Sequence, residues 1–451
     1  MANNRRIGIV LSGTAPAMTL MSGAMLAFAH HKVEFDVIST TGVGGLIGML
    51  YLAPKGKSRE QALRELPNLF VSDWLYRAVP INFKVFHKYS LFATKFYELR
   101  KSLPKFKLAP EDPSEAKRFF NDWMELWATA LTPASYQYKS NGFMSHVPLV
   151  DDLVDFKALN DPHHTKTRFY LNAFSLSNRR LRIFDNWDKR DLNIDHYNGA
   201  QAMYMLFPPV QTTDDLLMTG AARDPTGLQA IWTKERDLWA VLALDPHPEC
   251  YWRAPTDAYD AFQLMLMNPI VHLQRLLFSL YARTDKLVNS PPGGSAASAA
   301  GFKLPRLYSI KATIPKDHWP KMLKWTHENA MTLQQAGYHA ALPIAKRLAE
   351  VHTDAELADW LGPTRFDLVL QDEKRPQQFL NGIFNPIFTR FDEYVDYLHT
   401  PPGGQRPDRR VRSEPGSSRA TSSQTEISRT ATSRTVPPRR GERPRGQKRK
   451  R

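Results

Sequence analysis

Apolar positions in the first fifty residues gather into two nearly continuous runs, Ile7-Gly8-Ile9-Val10-Leu11 and Phe35-Asp36-Val37-Ile38-Ser39. Short runs rich in β-branched residues, without polar alternation, mark strands buried on both faces, the habit of a parallel sheet. Each leads into a turn of small residues and then into an apolar segment of helical length. The pattern predicts a strand over 7–11, a turn Ser12-Gly13-Thr14-Ala15-Pro16 and a helix over 17–30. It predicts next a strand over 35–39, a turn Thr40-Thr41-Gly42-Val43-Gly44-Gly45 and a helix over 46–52. Sites in open α/β sheets form beyond the carboxyl ends of such strands, so chemistry is expected at the two turns.

Further along, helical periods dominate. Ser58-Arg59-Glu60-Gln61 has a capping-box pattern that opens a helix running towards residue 69. Residues 74–106 interleave Trp74, Tyr76, Phe83 and Phe86 with Arg77, Lys84, Lys88 and Lys95. Such a stretch suits a membrane interface or nucleic acid, but the preferred reading is a helical insertion with its aromatics on the core and its lysines outward. Phe119, Phe120, Trp123 and Trp127 recur at helical spacing over 114–131 and are likewise expected in the core. A short helix and turn over 148–156 leads into a hairpin with strands over 167–174 and 180–184. A helix over 200–206 then meets the turn Phe207-Pro208-Pro209-Val210. Further strands are expected over 238–244 and, at a sheet edge, 306–313. Long helices are expected over 258–281, 318–336, 338–351 and 378–398, with a flexible loop over 290–300.

A sharp strand-to-helix turn lifts one side chain above the sheet beside the free N–H groups of a helix N-terminus, which is where an α/β hydrolase holds its nucleophile. Thr40-x-Gly42-x-Gly44 has the spacing of a G-x-S-x-G elbow, with glycine where serine would stand. The segment resembles the patatin-like phospholipase family, whose elbow typically reads G-T-S-A-G and whose oxyanion loop reads G-G-G-x-R-G after the first strand. On that alignment Gly42 takes the serine's place. Gly13, Thr14 and Ala15 fall on the oxyanion loop, with only its first glycine kept. The succession of Pro148-Leu149, Val154-Asp155-Phe156, Asn172-Ala173, Phe184-Asp185-Asn186 and the F-P-P-V turn resembles the family's bacterial branch. The family's D-G-G, whose aspartate completes a Ser–Asp dyad, falls on Thr219-Gly220-Ala221. The resemblance implies a three-layer α/β/α fold with a mostly parallel sheet over 6–230, then a remaining strand and helical extension over 231–399. A basic tail over 400–451 lacks the apolar residues to offset its ordering entropy and is expected to be disordered.

No catalytic group is intact on this alignment. Threonine is neutral near pH 7 and cannot act as a general base, and Pro16 has no N–H to offer an oxyanion. Catalytic groups act as a unit, so loss of the nucleophile alone removes on the order of a millionfold in rate. The leading expectation is a non-hydrolytic pseudoenzyme that keeps an acyl or lipid pocket. One alternative is a divergent lipid acyl hydrolase with a displaced nucleophile, Thr41 or Ser39, and Asp224 as base. Another is a scaffold whose tail does the work. Asp214 and Asp215 are expected to be solvated, and the pairs His30-His31 and His163-His164 to be structural or solvated.

Composition narrows these readings rather than adding one. The chain has 451 residues, 42 % of them apolar, ample for a large core. Its one cysteine, Cys250, allows neither an intramolecular disulfide nor a cysteine zinc cluster. The net charge of +15 is concentrated in residues 401–451, where fifteen Lys/Arg against four Asp/Glu give +11 and leave +4 for the rest. That tail would attract an anionic membrane surface or, less favoured, nucleic acid. Arg5-Arg6 and the apolar residues after them imitate a signal peptide, but Gly13, Thr14 and Pro16 break the stretch. No run reaches the roughly eighteen apolar residues of a membrane span, so a cytoplasmic protein, peripheral to membrane at most, is expected. No metal or nucleotide motif occurs, and no cofactor is expected.

Overall fold

The structure, a computed structural model, describes residues 6–350 apart from 13–14, 16, 103–113, 137–140, 189–190, 236, 246–250, 252 and 289–304. Gly13, Thr14, Pro16, Cys250, the loop over 290–300, the helix over 378–398 and the tail from 400 lie outside those residues.

The two strand–turn–helix units are β1 (Ile7–Leu11) with α1 (Met18–His30), and β2 (Val37–Thr41) with α2 (Gly44–Leu52). An insertion follows, with helices α3 (Arg59–Arg64), α4 (Asp73–Ala78), α5 (Ala93–Ser102) and α6 (Glu115–Leu131) and the small antiparallel pair β3 (His87–Lys88) and β4 (Met144–Ser145). Then come α7 (Phe156–Asn160), the hairpin β5 (Arg168–Ser175) and β6 (Arg180–Asp185), α8 (Ile194–Gln201), β7 (Val210–Gln211) and β8 (Leu216–Thr219). The remaining elements are α9 (Leu228–Lys234), β9 (Ala240–Asp245), α10 (Ala258–Val288), β10 (Arg306–Lys311) and α11 (His327–Glu350).

The main sheet runs β10-β9-β1-β2-β5-β8-β7, with β6 also paired to β5. From β10 to β5 every neighbour is parallel, and β6, β7 and β8 are antiparallel. Successive side chains of a strand point to opposite faces, and here they reach two separate cores. Ile9 and Leu11 of β1 join α1, α2 and α11 on one face. Val10 joins Leu228 and Ile231 of α9 and Phe278 and Tyr281 of α10 on the other. Helices therefore cover both faces, in three layers.

Helix α1 is buried at every position from Met18 to Ala29. A Cβ on Gly23 would lie 1.8 Å from the Gln334 carbonyl oxygen, and one on Gly337 would lie 1.9 Å from that of Leu20. Only glycine allows α1 and α11 to approach so closely. Gln334 Nε2 then donates to Ser22 Oγ at 3.0 Å and to the Leu63 carbonyl at 2.8 Å.

Several expectations need correction. The second strand is Val37–Thr41, two residues later than expected, so Thr40 and Thr41 belong to the strand and not to the turn, and Asp36 just before it accepts from Ile7 N of β1 through Oδ2 at 2.7 Å. The helix expected over 200–206 is α8, six residues earlier, held at its start by an Asn193–His196 capping box. The two helices expected over 318–336 and 338–351 are a short 3₁₀ turn and one unbroken α11. Gly337, between the two expected helices, lies inside α11 and is a packing contact. Asp215 is buried, not solvated, and accepts from Ser175 Oγ at 2.6 Å and Asn178 Nδ2 at 3.2 Å. The largest correction is α6, where only Asp122 is buried while Trp123, Trp127 and Phe120 are exposed. Asp122 Oδ1 pairs with Lys84 Nζ at 2.5 Å and its Oδ2 accepts from Ser72 N at 2.6 Å, so a buried charge pair attaches this helix. Lys84, expected to point outward, is correspondingly buried.

Candidate functional site

β5 is longer than its neighbours, and its pairing creates the site. It pairs with β2 as far as Asn172, opposite Thr41, and with β8 from Ala173, opposite Thr219. β6 covers the other edge of β5 across both stretches. The carboxyl ends of β2 and β8 therefore meet on one edge, which brings the turn at Gly42 beside Thr219.

The backbone of both turns is fixed by close approach. Gly42 has φ +52°, in the left-handed region that a side chain disfavours, and its carbonyl accepts from Gly45 N at 3.0 Å. A Cβ on Gly44 would stand 2.2 Å from the Leu11 carbonyl oxygen, so the turn sits directly against the end of β1. After β8, a Cβ on Gly220 would lie 2.4 Å from Asn172 Oδ1. Thr219 Oγ1 accepts from Ala221 N at 3.2 Å and caps the following 3₁₀ turn.

Gly42, Thr219 and Ala15 line one cavity of about 280 Å³, near the lower end of small-ligand sites (about 300 Å³). Its walls are mostly apolar. Phe86, Phe207 and Trp325 form an aromatic side, with ring centroids 5.0 Å apart for Phe86–Trp325 and 6.1 Å for Phe86–Phe207. Met18, Leu46 and Leu266 come from α1, α2 and α10.

Of the polar residues of the lining, Thr219 is expected at the site from sequence, whereas His146, Tyr197 and Gln201 are not. His146 stacks on Phe207 at 4.9 Å and its Nε2 lies 3.0 Å from the Pro208 carbonyl oxygen. That oxygen can only accept, so Nε2 carries the proton, and burial lowers the pKa and keeps the ring neutral at pH 7. Gln201, at the end of α8, also lines the cavity, and its Nε2 is buried with no hydrogen-bond partner among the described residues. Burial pushes the Tyr197 hydroxyl of the same wall up in pKa, so it stays protonated. Nothing in the local sequence marks these residues; only the fold brings them to one wall.

Of the groups considered for a displaced nucleophile, Asp224 and Ser39 are engaged elsewhere and Thr41 has no base beside it among the described residues. Asp224 is 3 % exposed and is saturated. Its Oδ1 accepts from Thr226 N, Thr226 Oγ1 and Gly227 N at 3.1, 2.6 and 3.0 Å. Its Oδ2 accepts from Gln229 N at 3.0 Å and Asn172 Nδ2 at 3.4 Å. This carboxylate organises the start of α9. Ser39 Oγ donates to the Gly227 carbonyl at 2.6 Å. Thr41 Oγ1 is buried and has no hydrogen-bond partner among the described residues, so no base activates it. His30 bonds Tyr338 Oη at 3.0 Å on the far side of α1, and His163 and His164 are exposed after α7.

No family model matches the chain, and no curated protein matches it. Among solved structures, the crystal structure of VipD from Legionella pneumophila matches at a TM-score of 0.31 and 10 % identity, covering 87 % of this chain and 80 % of that one. So loose a superposition leaves the site to be read from its own residues. Among the described residues no helix is long and apolar enough to cross a membrane.

Proposed function

We propose that the chain is a patatin-like protein that binds an acyl chain or related lipid and does not hydrolyse it. The observation that carries this reading is the apolar cavity that ends on Gly42 and Thr219, where a hydrolase of this architecture would need a nucleophile and its carboxylate. Acyl transfer requires a nucleophile, a base within hydrogen-bond reach and donors for an oxyanion. Glycine supplies no nucleophile, and threonine supplies no base. The nearby Asp224 carboxylate has its lone pairs spent on α9. What remains is a receptacle whose aromatic and aliphatic walls favour a hydrocarbon chain, with Gln201 Nε2 available to a carbonyl or carboxylate head.

Two measurements test the reading together. A fluorescent fatty acid titrated into the wild type is expected to bind, and binding is expected to fall when Met18→Trp or Leu46→Trp fills the cavity. On a chromogenic ester and a phospholipid, wild type is expected to be inert, whereas Gly42→Ser with Thr219→Asp is expected to gain turnover. The serine would have to adopt the left-handed backbone of Gly42, at a cost of about 1–2 kcal/mol. Wild-type turnover that disappears in a folded Thr41→Ala variant would overturn the non-hydrolytic assignment. Absence of fatty-acid binding would overturn the ligand assignment.

A further inference from the structure

We propose that the outward face of α4, α5 and α6 seats on an anionic lipid–water interface. The inference stands on this surface alone and does not require the cavity to hold an acyl chain.

The apolar residues of α6 sweep about 160° of its circumference, wider than the stripe that one packed face uses. One edge, Phe119 and Leu126, packs on the core. The other edge presents Trp123, Trp127 and Leu131, which are 40, 51 and 69 % exposed. Trp74 of α4, half exposed, extends the same surface: its ring lies 6.3 Å from Phe119, Phe119 lies 6.0 Å from Trp123, and Trp123 lies 5.8 Å from Trp127. The result is a ladder of indoles along one side of the molecule. Indole is amphipathic and prefers the headgroup level of a bilayer, between water and hydrocarbon.

The attachment of α6 leaves that ladder free for another role. Lys84 Nζ reaches Asp122 and the Asn68 and Phe70 carbonyls at 3.1 and 2.8 Å, so polar contacts at the helix's inner edge hold it in place. Lys88 Nζ donates to the Ala130 carbonyl at 2.7 Å at its carboxyl end. The tryptophans are not needed for docking α6.

Charge identifies the occupant. From Asp73 to Leu131 the chain carries ten Lys/Arg and seven Asp/Glu, and among the described residues of the three helices the exposed charges are Arg77 of α4 and Lys95 and Lys101 of α5 against Glu98. A second copy of the chain would bring like charge against like, whereas an anionic lipid surface attracts both the cations and the indoles. Ile81, just after α4, is 43 % exposed and also lines the cavity.

The test is flotation of the full chain with vesicles of phosphatidylcholine, alone or mixed with phosphatidylglycerol, at low and high salt, alongside sedimentation velocity. Wild type is expected to float with the mixed vesicles and to retain part of that binding at high salt, where attraction by the basic tail is screened. Trp123→Ser/Trp127→Ser is expected to lower the partition coefficient about tenfold, with an unchanged circular dichroism spectrum. Replacing Lys448, Arg449, Lys450 and Arg451 by serine is expected to remove only salt-sensitive binding. Undiminished flotation of the tryptophan variant would overturn the proposal. So would a wild-type dimer that the tryptophan substitutions convert to monomer without any change in vesicle binding.

Discussion

Helix α1 buries twelve consecutive residues, whereas α6, which carries more aromatic side chains, buries only Asp122. Both look like core helices in sequence, and the difference lies in what each meets. In α1, Ser22, Gly23 and Ala24 are small enough to admit α11 against its backbone, and the sheet covers the opposite side. In α6 the inner edge carries Asp122, which finds Lys84, and the large residues beyond it meet no covering element among those described. A hydrophobic stripe records how much surface a helix can bury; the neighbours decide how much it does bury.

The contrast breaks most severely at the α1–α11 contact. Gly23→Val should cost about 4 kcal/mol or more, because its Cβ would sit inside the Gln334 carbonyl and both neighbours are backbone. Loss of soluble protein, or a collapse of the thermal midpoint, checks it; a variant with wild-type stability would mean the helices are not so close. Next is the polar anchor of α6. Asp122→Ala leaves the Lys84 ammonium buried without its carboxylate and should cost about 3–5 kcal/mol, read by urea unfolding, whereas Lys84→Met/Asp122→Leu should recover most of it.

A pH effect of up to about 3 kcal/mol is expected from His87, which packs beside this anchor with Nε2 3.3 Å from the Lys84 carbonyl oxygen. Burial lowers its pKa to about 4 in the folded protein, against 6.5 when exposed. The unfolded chain therefore takes up the proton first. Stability from this group is complete above pH 6.5 and is lost as the pH falls towards 4. The unfolding free energy of wild type should fall relative to that of His87→Phe as the pH is lowered through that window, and an unchanged difference would count against the buried neutral imidazole. The smallest effect sharpens the contrast from the other side. Trp123→Ser and Trp127→Ser should each change stability by about 0.5 kcal/mol or less, despite the size of the ring removed. A core-like loss of several kcal/mol would show that another segment covers that face.

Much of the sheet was legible because buried parallel strands announce themselves as apolar runs. The strand over 7–11 agrees at both ends, and the hairpin is displaced by one residue at most. Boundaries slipped beside polar side chains that bond backbone N–H groups, Asp36 and Asn193, and such contacts depend on geometry that composition does not carry. Gly337 misled in the opposite direction: a residue that usually loosens a helix was there to let another helix in. At the site, spacing drew attention to Gly42 and Thr219, which the fold places on one cavity. It offered no hint of His146 or Gln201, because they arrive from separate elements and share no motif. Asp224 illustrates the remaining difficulty. A carboxylate near a candidate nucleophile suggests chemistry until its hydrogen bonds are followed, and they all lead to α9 and its neighbour Asn172.

The α1–α11 packing at Gly23 and Gly337 also sets a timetable for synthesis. About three hundred residues separate the two glycines, and β1 likewise waits for β9. At roughly 5–20 residues per second, α1 leaves the ribosome about 15–60 s before its partner helix exists. For that interval α2 and α3, made just after α1, can pack against it, but the side that α11 will cover stays open. A chain that stops before α11 leaves that face of α1 open to water.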